Sequence, residues 1–215
     1  MTSSPSGASP PARDERLRAL VAHTEGLQPW RRVLHASTGL IIAGLLRLLD
    51  PPWTLAVGGL GGLALLLFLS DLVRLRAPIL NRLFFRLLRP LASPREATGP
   101  ASSSWYIAGC FLAVLIFPRD VAVAAILVLA LADPVASYIG RRWGRRPFGA
   151  GTVEGSAVFT IVAFLVLLPF AGWFVAGVSA PLVAWVERLR WPLDDNLTVP
   201  LVTGLLLWSL LPHSG

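Results

Sequence analysis

GSAVFTIVAFLVLLPFAGWFVAGVSAPLVAWV, residues 155–186, runs for 32 residues without a charged side chain. A bilayer's hydrocarbon core is about 30 Å thick and takes about 20 apolar residues to cross as a helix. The run is therefore too long for one ordinary crossing. Within it Pro169, Phe170, Ala171 and Gly172 supply a turn signal that divides it into two short helices. The alternative is a single tilted helix followed by a surface segment.

Working outward, the same length criterion marks further spans. Asn196–Leu211 is the last. On the N-terminal side stand Val121–Gly140, Trp105–Pro118, the charge-free Pro51–Ser70 and Val33–Leu49. Gly58 and Gly62 in the second of these spans, counted from the N-terminus, fit small-xxx-small helix packing. Residues 78–92 set Arg82, Arg86 and Arg89 against Ile79, Leu83 and Leu87, the pattern of a helix lying in the membrane interface. The expected fold is all-α: a polytopic membrane helix bundle of about seven transmembrane helices plus an interfacial amphipathic helix, or six if residues 155–186 do not turn. Residues 1–12 read as a disordered Ser/Pro-rich lead and not a signal peptide, 13–32 as a cytoplasmic N-terminal helix, and 33–215 as a single transmembrane catalytic domain.

Composition agrees: 54% of the 215 residues are hydrophobic and 14% charged. All 19 basic residues are Arg, which against 12 acids gives a net charge of +7. The absence of Lys excludes a Walker-A loop, a lysine Schiff base and the strand lysine of protein kinases. A lone Cys110 excludes a disulfide framework and thiolate zinc clusters. The Arg residues lie between apolar runs, so the basic excess reads as membrane flanks and not as a nucleic-acid surface. In a seven-span arrangement with the N-terminus inside, 17 Arg fall on the inner side, while Arg47 and Arg119 fall outside. The polar residues of interest share the inner side, so a cytoplasmic site is expected.

The richest stretch is DPVASYIGRRWGRRPFGAGTVEGS, residues 133–156. An ionisable residue inside a span is costly and marks function, and Asp133 is one; its bland reading is neutralisation by Arg141 or Arg142. Asp133, Ser137, Gly140 and Gly144 repeat at helical spacing, which leaves a face of small residues beside the acid where something bulky could dock. Arg141, Arg142, Arg145 and Arg146 offer planar, permanently charged forks for phosphate oxygens, although positive-inside anchors look the same. The turn from Gly149 to Gly151 can aim N–H groups at an anion, with Thr152 as a helix cap and Glu154 in the first turn. His35 shares a helix face with Arg31 and Gly39. Asp71 either contributes to the site or pairs with Arg74. Asp194, Asp195 and Asn196 either cap the last helix or help hold a divalent cation, since carboxylate plus nucleotide phosphate is the usual setting for Mg²⁺.

Taken together these residues resemble the membrane family of dolichol kinase, phytol kinase and CTP-dependent diacylglycerol kinase. The resemblance runs from Trp30 to Leu211. It rests on Arg31-Arg32-x-x-His35, Asp71-Leu-x-Arg74, Glu96 with Thr98-Gly99, and Asp133-x-x-Ala136-x-x-x-Gly140 continuing through Gly144. Thr152-x-Glu154-Gly155-Ser156 and DDNLTVPL at 194–201 complete it. It implies transfer of the γ-phosphoryl group of CTP to the hydroxyl of a membrane lipid alcohol, an isoprenoid alcohol or diacylglycerol, with Mg²⁺ and no nucleic-acid partner. By this likeness Asp133, His35 and Glu96 are the expected catalytic groups. Arg31, Arg32, Gly140, Arg141, Arg142, Gly144, Arg145, Arg146, Thr152, Gly155 and Ser156 are the expected nucleotide and phosphate contacts, and Asp133, Glu154 and Asp195 the expected metal ligands. The sequence departs from the family pattern at Gly151, where a Lys usually precedes the Ser/Thr-x-Glu-Gly-Ser segment; Arg145 or Arg146 is the expected substitute. A cytidylyltransferase acting on phosphatidate, a lipid or ion transporter and a non-catalytic relative are the competing readings.

Overall fold

The computed structural model describes residues 17–22, 24, 26, 28–189 and 193–212. The expected lead over residues 1–12, much of the 13–28 part of the expected N-terminal helix, and Arg190 lie outside the described residues; residues 17–22 are helical. The elements are α1 (Pro29–Leu48), α2 (Trp53–Arg76), α3 (Pro78–Leu87), a 3₁₀ turn (Pro94–Ala97), α4 (Ser102–Ile116) and α5 (Arg119–Trp143). There follow a short antiparallel pair of strands, β1 (Pro147–Phe148) and β2 (Gly151–Thr152), then α6 (Val153–Arg188) and α7 (Asp195–Leu210). Among the described residues, α2, α5 and α6 are long and apolar enough to cross a membrane, and α4 is a shorter apolar helix. The chain is thus an all-helical membrane protein apart from one two-residue strand pair.

The 36 residues of α6 do not form one rod. At Gly172 the backbone takes φ 69° and ψ 171°, a region open essentially to glycine alone. A straight helix of this length would hold its ends about 54 Å apart, yet Arg188 meets the segment's own beginning. The Ala150 N–H donates to the Arg188 carbonyl at 3.0 Å, and Arg188 Nε donates to Ser156 Oγ at 3.0 Å. The expected break at Pro169–Gly172 therefore folds the segment back on itself.

The central element is α5: 61% of its apolar window is buried, against 11% for α2. It packs against α1, α6 and α7. Small side chains make this possible, since Ala122, Ala124, Ala125, Ala130 and Ala132 are fully buried and let neighbouring helices approach closely. From α1 it receives the stripe His35, Gly39, Ala43 and Leu46. Gly39 must lack a side chain, because a Cβ there would overlap Tyr106 Oη.

Two expectations about packing need correction. Gly58 and Gly62 meet open space, and it is Gly61 that packs on α4, where a Cβ would stand 2.8 Å from the Phe111 ring. The expected interfacial helix over 78–92 stops at Leu87, so Arg89 lies beyond it. On that helix Asn81 and Phe85 are buried, while Ile79, Leu83 and Leu87 are exposed.

A buried polar knot ties α2 to the turn before α4. Arg74 Nε donates to Asp71 Oδ1 at 2.9 Å, and its Nη groups donate to Asn81 Oδ1 and the Glu96 carbonyl at 2.7 Å and to the Gly99 carbonyl at 2.9 Å. Asp71 Oδ2 accepts from the Ala101 N–H at 2.9 Å and from Ser104 Oγ at 2.6 Å. At the opposite end of the bundle Arg47 pairs with Asp120 at 2.7 Å, and Arg119 pairs with Asp50.

Candidate functional site

At the polar end of the bundle a cavity of about 620 Å³ opens between the start of α1, the end of α5, the β1–β2 turn, the end of α6 and the start of α7. Each element brings polar residues because each reaches its terminus there. Asp133 lies nearly three turns before the end of α5 and is followed by Pro134, which lacks an N–H, so the Ala130 carbonyl loses its intrahelical donor beside the acid. The cations whose charge bears on Asp133 are Arg31, Arg188 and Arg32.

The arginines are held differently. Arg31 is tied by Nη2 to Ser102 Oγ at 2.5 Å and by Nη1 to Gln28 Oε1 at 3.1 Å; burial lowers its pKa from the usual arginine value, opposed by the charge of Glu96. Arg32 donates from Nη2 to Ser137 Oγ at 3.0 Å, while its Nε and Nη1 are buried with no hydrogen-bond partner among the described residues. Buried donors are rarely left unpaired, so these two are poised for an acceptor that enters the cavity. Arg141 reaches across the mouth to the Gly26 carbonyl at 2.8 Å.

Opposite them, Asp194 caps α7 by accepting from the Asn196 N–H at 3.1 Å and pairs with Arg95 at 3.3 Å. Asp195, ahead of the apolar run of α7, also lines the cavity. Burial, then the charges of Asp133 and Asp194, push its carboxyl up to about 6. His35 lies buried on α1 with its ring 4.8 Å from that of Tyr106, whose hydroxyl donates to the His35 carbonyl at 2.8 Å.

The cavity thus gathers Asp133, His35, Arg31, Arg32, Gly140, Arg141, Thr152 and Asp195 from the expected set. It does not gather the rest. Glu96 is buried behind Arg31, where Oε1 accepts from the Ser102 N–H at 3.1 Å. Glu154 is half-buried on the first turn of α6, off the cavity lining, and accepts from the Arg146 N–H at 3.3 Å; Asp133, Glu154 and Asp195 do not converge as one metal cluster. Among the described residues no group of three or more His, Cys, Asp or Glu side chains is arranged to hold a metal by itself. Arg142, Gly144, Arg145, Arg146, Gly155 and Ser156 also lie off the lining.

Asp133, Ser137 and Gly140 of the small-residue face line the cavity, while towards Gly144 the start of α6 packs against that face. A Cβ on Gly140 would stand 3.0 Å from Thr152 Oγ1 and 3.4 Å from Gly155 Cα. Thr152 caps α6 as expected, accepting from the Gly155 N–H at 3.1 Å. The Gly149 turn has φ +56°, but the Ala150 N–H in it is engaged by the Arg188 carbonyl. Glu187 and Arg188, an ion pair at 2.6 Å that lines the cavity, carried no signal in the sequence beyond following the uncharged run 155–186.

Comparison with known proteins gives relatives matched over more than two thirds of both chains. The CTP-dependent diacylglycerol kinase 1 of Schizosaccharomyces pombe is 26% identical over 165 residues, covering 67% of this chain and 76% of that protein. Its namesake in Saccharomyces cerevisiae is 25% identical over 217 residues, covering 82% and 71%. The phytol kinase of Synechocystis sp. is 30% identical over 200 residues, covering 83% and 78%. No family model matches the chain, and no solved structure does. With nearly a third of its residues shared over most of both chains with phytol kinase, the protein belongs to the family that contains phytol kinase and the CTP-dependent diacylglycerol kinases.

Proposed function

We propose that the protein is a CTP-dependent lipid kinase that moves the γ-phosphoryl group of CTP onto the hydroxyl of a membrane-embedded lipid alcohol, a long-chain isoprenoid alcohol or diacylglycerol. The observation that carries the reading is the cavity itself. It sets Arg31, Arg32, Arg95, Arg141 and Arg188 among four carboxylates, Asp133, Glu187, Asp194 and Asp195, and Arg32 keeps two buried donors unpaired among the described residues. Phosphoryl transfer asks a protein chiefly for positioning and charge neutralisation, and this lining supplies both. The names of the relatives, which specify CTP, diacylglycerol and phytol, support the substrate classes.

In this mechanism the lipid hydroxyl oxygen bonds to the γ-phosphorus while the bond from that phosphorus to the β,γ-bridging oxygen breaks. The products are the phosphorylated lipid and CDP. The hydroxyl proton passes to the Asp133 carboxylate, which has the charges of Arg31, Arg188 and Arg32 around it, and then to water. Arg31 and Arg32 hold the γ-phosphoryl oxygens from the α1 side, and His35 packs beneath them. Mg²⁺ usually takes one or two carboxylates together with phosphate oxygens and water; Asp195, with Asp133 nearby, is the donor set that fits it. When bound it would neutralise charge on the transferring group. The seven apolar rods, counting α6 as two, each cross the bilayer with the N-terminus and the cavity on the cytoplasmic side. The lipid tail stays among the helices.

The test is transfer of label from γ-labelled CTP to a panel of phytol, polyprenol and diacylglycerol by purified protein in detergent. Asp133→Asn is expected to lower transfer at least 100-fold, in the range that loss of a general base costs, with an unchanged elution profile. Full activity in Asp133→Asn overturns the assignment. Label recovered in lipid from α-labelled CTP, with release of pyrophosphate, would instead identify a cytidylyltransferase.

A further inference from the structure

We propose that Arg188 is a triphosphate-binding cation of this site, and that residue 151 is glycine because the Arg188 guanidinium occupies the space its side chain would take. The inference rests on the kinase reading above for the identity of the anion, but its geometry is independent of it. A Cβ at Gly151 would overlap Arg188 Nη1 and stand 2.7 Å from Cζ. A side chain at 151 and the guanidinium of Arg188 are therefore alternative occupants of one volume, and that volume lines the cavity.

Arg188 is built in from both its main chain and its side chain. Its carbonyl accepts from the Ala150 N–H at 3.0 Å, which fixes the end of α6 to the glycine turn. It is 8% exposed. Its hydrogen bond to Ser156 Oγ at 3.0 Å and its ion pair with Glu187 Oε2 at 2.6 Å both use Nε. Among the described residues that leaves the Nη1 and Nη2 pair, the edge of the fork that suits two oxygens of one phosphate, on the cavity side over Gly151. If Arg188 served only to neutralise Glu187, pairing through the Nη edge would be the stronger geometry. Arg145 and Arg146, the sequence-based candidates for this cation, lie off the cavity lining. A cation reaching the same spot from residue 151 should therefore do the work of Arg188, provided Arg188 is out of the way.

The experiment measures equilibrium binding of CTP and of inorganic tripolyphosphate to the full-length protein in detergent, alongside transfer. Arg188→Ala is expected to weaken both ligands at least tenfold and to raise the KM for CTP more than it lowers kcat. The double variant Gly151→Lys with Arg188→Ala should recover most of that loss. Gly151→Lys alone, which crowds two cations into one volume, should lower the Tm. Should Arg188→Ala not fold, Arg188→Gln, which retains an N–H for Ser156, replaces it in both arms. Affinity within twofold of wild type in a folded Arg188 variant overturns the proposal, as does failure of Gly151→Lys to restore binding. Failure of the kinase reading looks different: CTP and tripolyphosphate still bind in an Arg188-dependent way, yet no label reaches lipid.

Discussion

Asp71 and Asp133 are both carboxylates at or within apolar helices, and their surroundings assign them opposite tasks. Asp71 is consumed by structure: both its oxygens accept hydrogen bonds, from Arg74, Ala101 and Ser104, and Arg74 is itself fully engaged. Removing one partner of a buried pair leaves an uncompensated charge, at a cost of about 3–5 kcal/mol. Asp71→Ala is therefore expected to lower the Tm in detergent steeply, and the surviving folded fraction should bind CTP normally. A Tm unchanged by this substitution would contradict the role. Asp133 has arginine charges about it and a broken backbone hydrogen bond beside it, and its substitution should spare the fold. The sequence makes both acids conspicuous because charge in an apolar run is rare. It separates them only where a partner lies within one helical turn, as Arg74 does for Asp71. The partners of Arg32 and Arg188 come from residues 137 and 156, so their roles were not legible from local spacing. For the same reason four consecutive-looking arginines, 141 to 146, seemed one phosphate cluster, whereas only Arg141, on the last helical turn facing α1, lines the cavity.

Among the elements, α6 depends on one residue. Ala at position 172 would have to hold φ 69° with ψ 171°, where a non-glycine residue costs about 1–3 kcal/mol. Nothing lies within 4 Å of a Cβ placed there, so the penalty is one of backbone conformation and not of collision. Gly172→Val is expected to destabilise by at least the upper part of that range, and thermal unfolding followed by circular dichroism would show it; an unshifted transition would mean that the chain turns elsewhere. The turn itself was readable because proline and glycine punctuate an apolar run locally. The direction of packing was not: the glycines of α2 that match a helix-pairing motif face open space, while the glycine between them, Gly61, meets Phe111. Small-residue spacing tells how close a helix can come to a neighbour, not where the neighbour lies.

For the whole molecule, charge is divided between two ends. The arginines Arg47 and Arg119 at the end away from the cavity are matched one for one by Asp120 and Asp50, so among the described residues that end carries little net charge, while Arg31, Arg32, Arg95, Arg141 and Arg188 gather at the cavity. Positive charge resists transfer across the membrane during insertion, which is the physical basis for the proposal that the cavity end faces the cytoplasm. Cys110 is buried and the sole cysteine, so single-cysteine labelling can read the orientation directly. In sealed, right-side-out vesicles an impermeant maleimide should modify Leu49→Cys and leave Arg145→Cys untouched until the vesicles are opened. The reverse pattern would invert the topology. The two-ended charge pattern was legible from the sequence because it is a sum over many residues, and sums survive errors in individual boundaries.

The fold-back at Gly172 also sets the order in which a nascent chain becomes competent. Asp133, His35 and the arginines of α1 leave the ribosome well before the wall formed by Glu187, Arg188 and Asp195. In the proposed topology the uncharged stretch before that wall enters the bilayer as a paired hairpin, since its end returns to its beginning. A chain arrested just before residue 187 would therefore lack the wall of Glu187, Arg188 and Asp195 and leave the chamber open on one flank. The start of α7 closes the chamber, which is complete only once Asp194, Asp195 and Asn196 have joined the other walls.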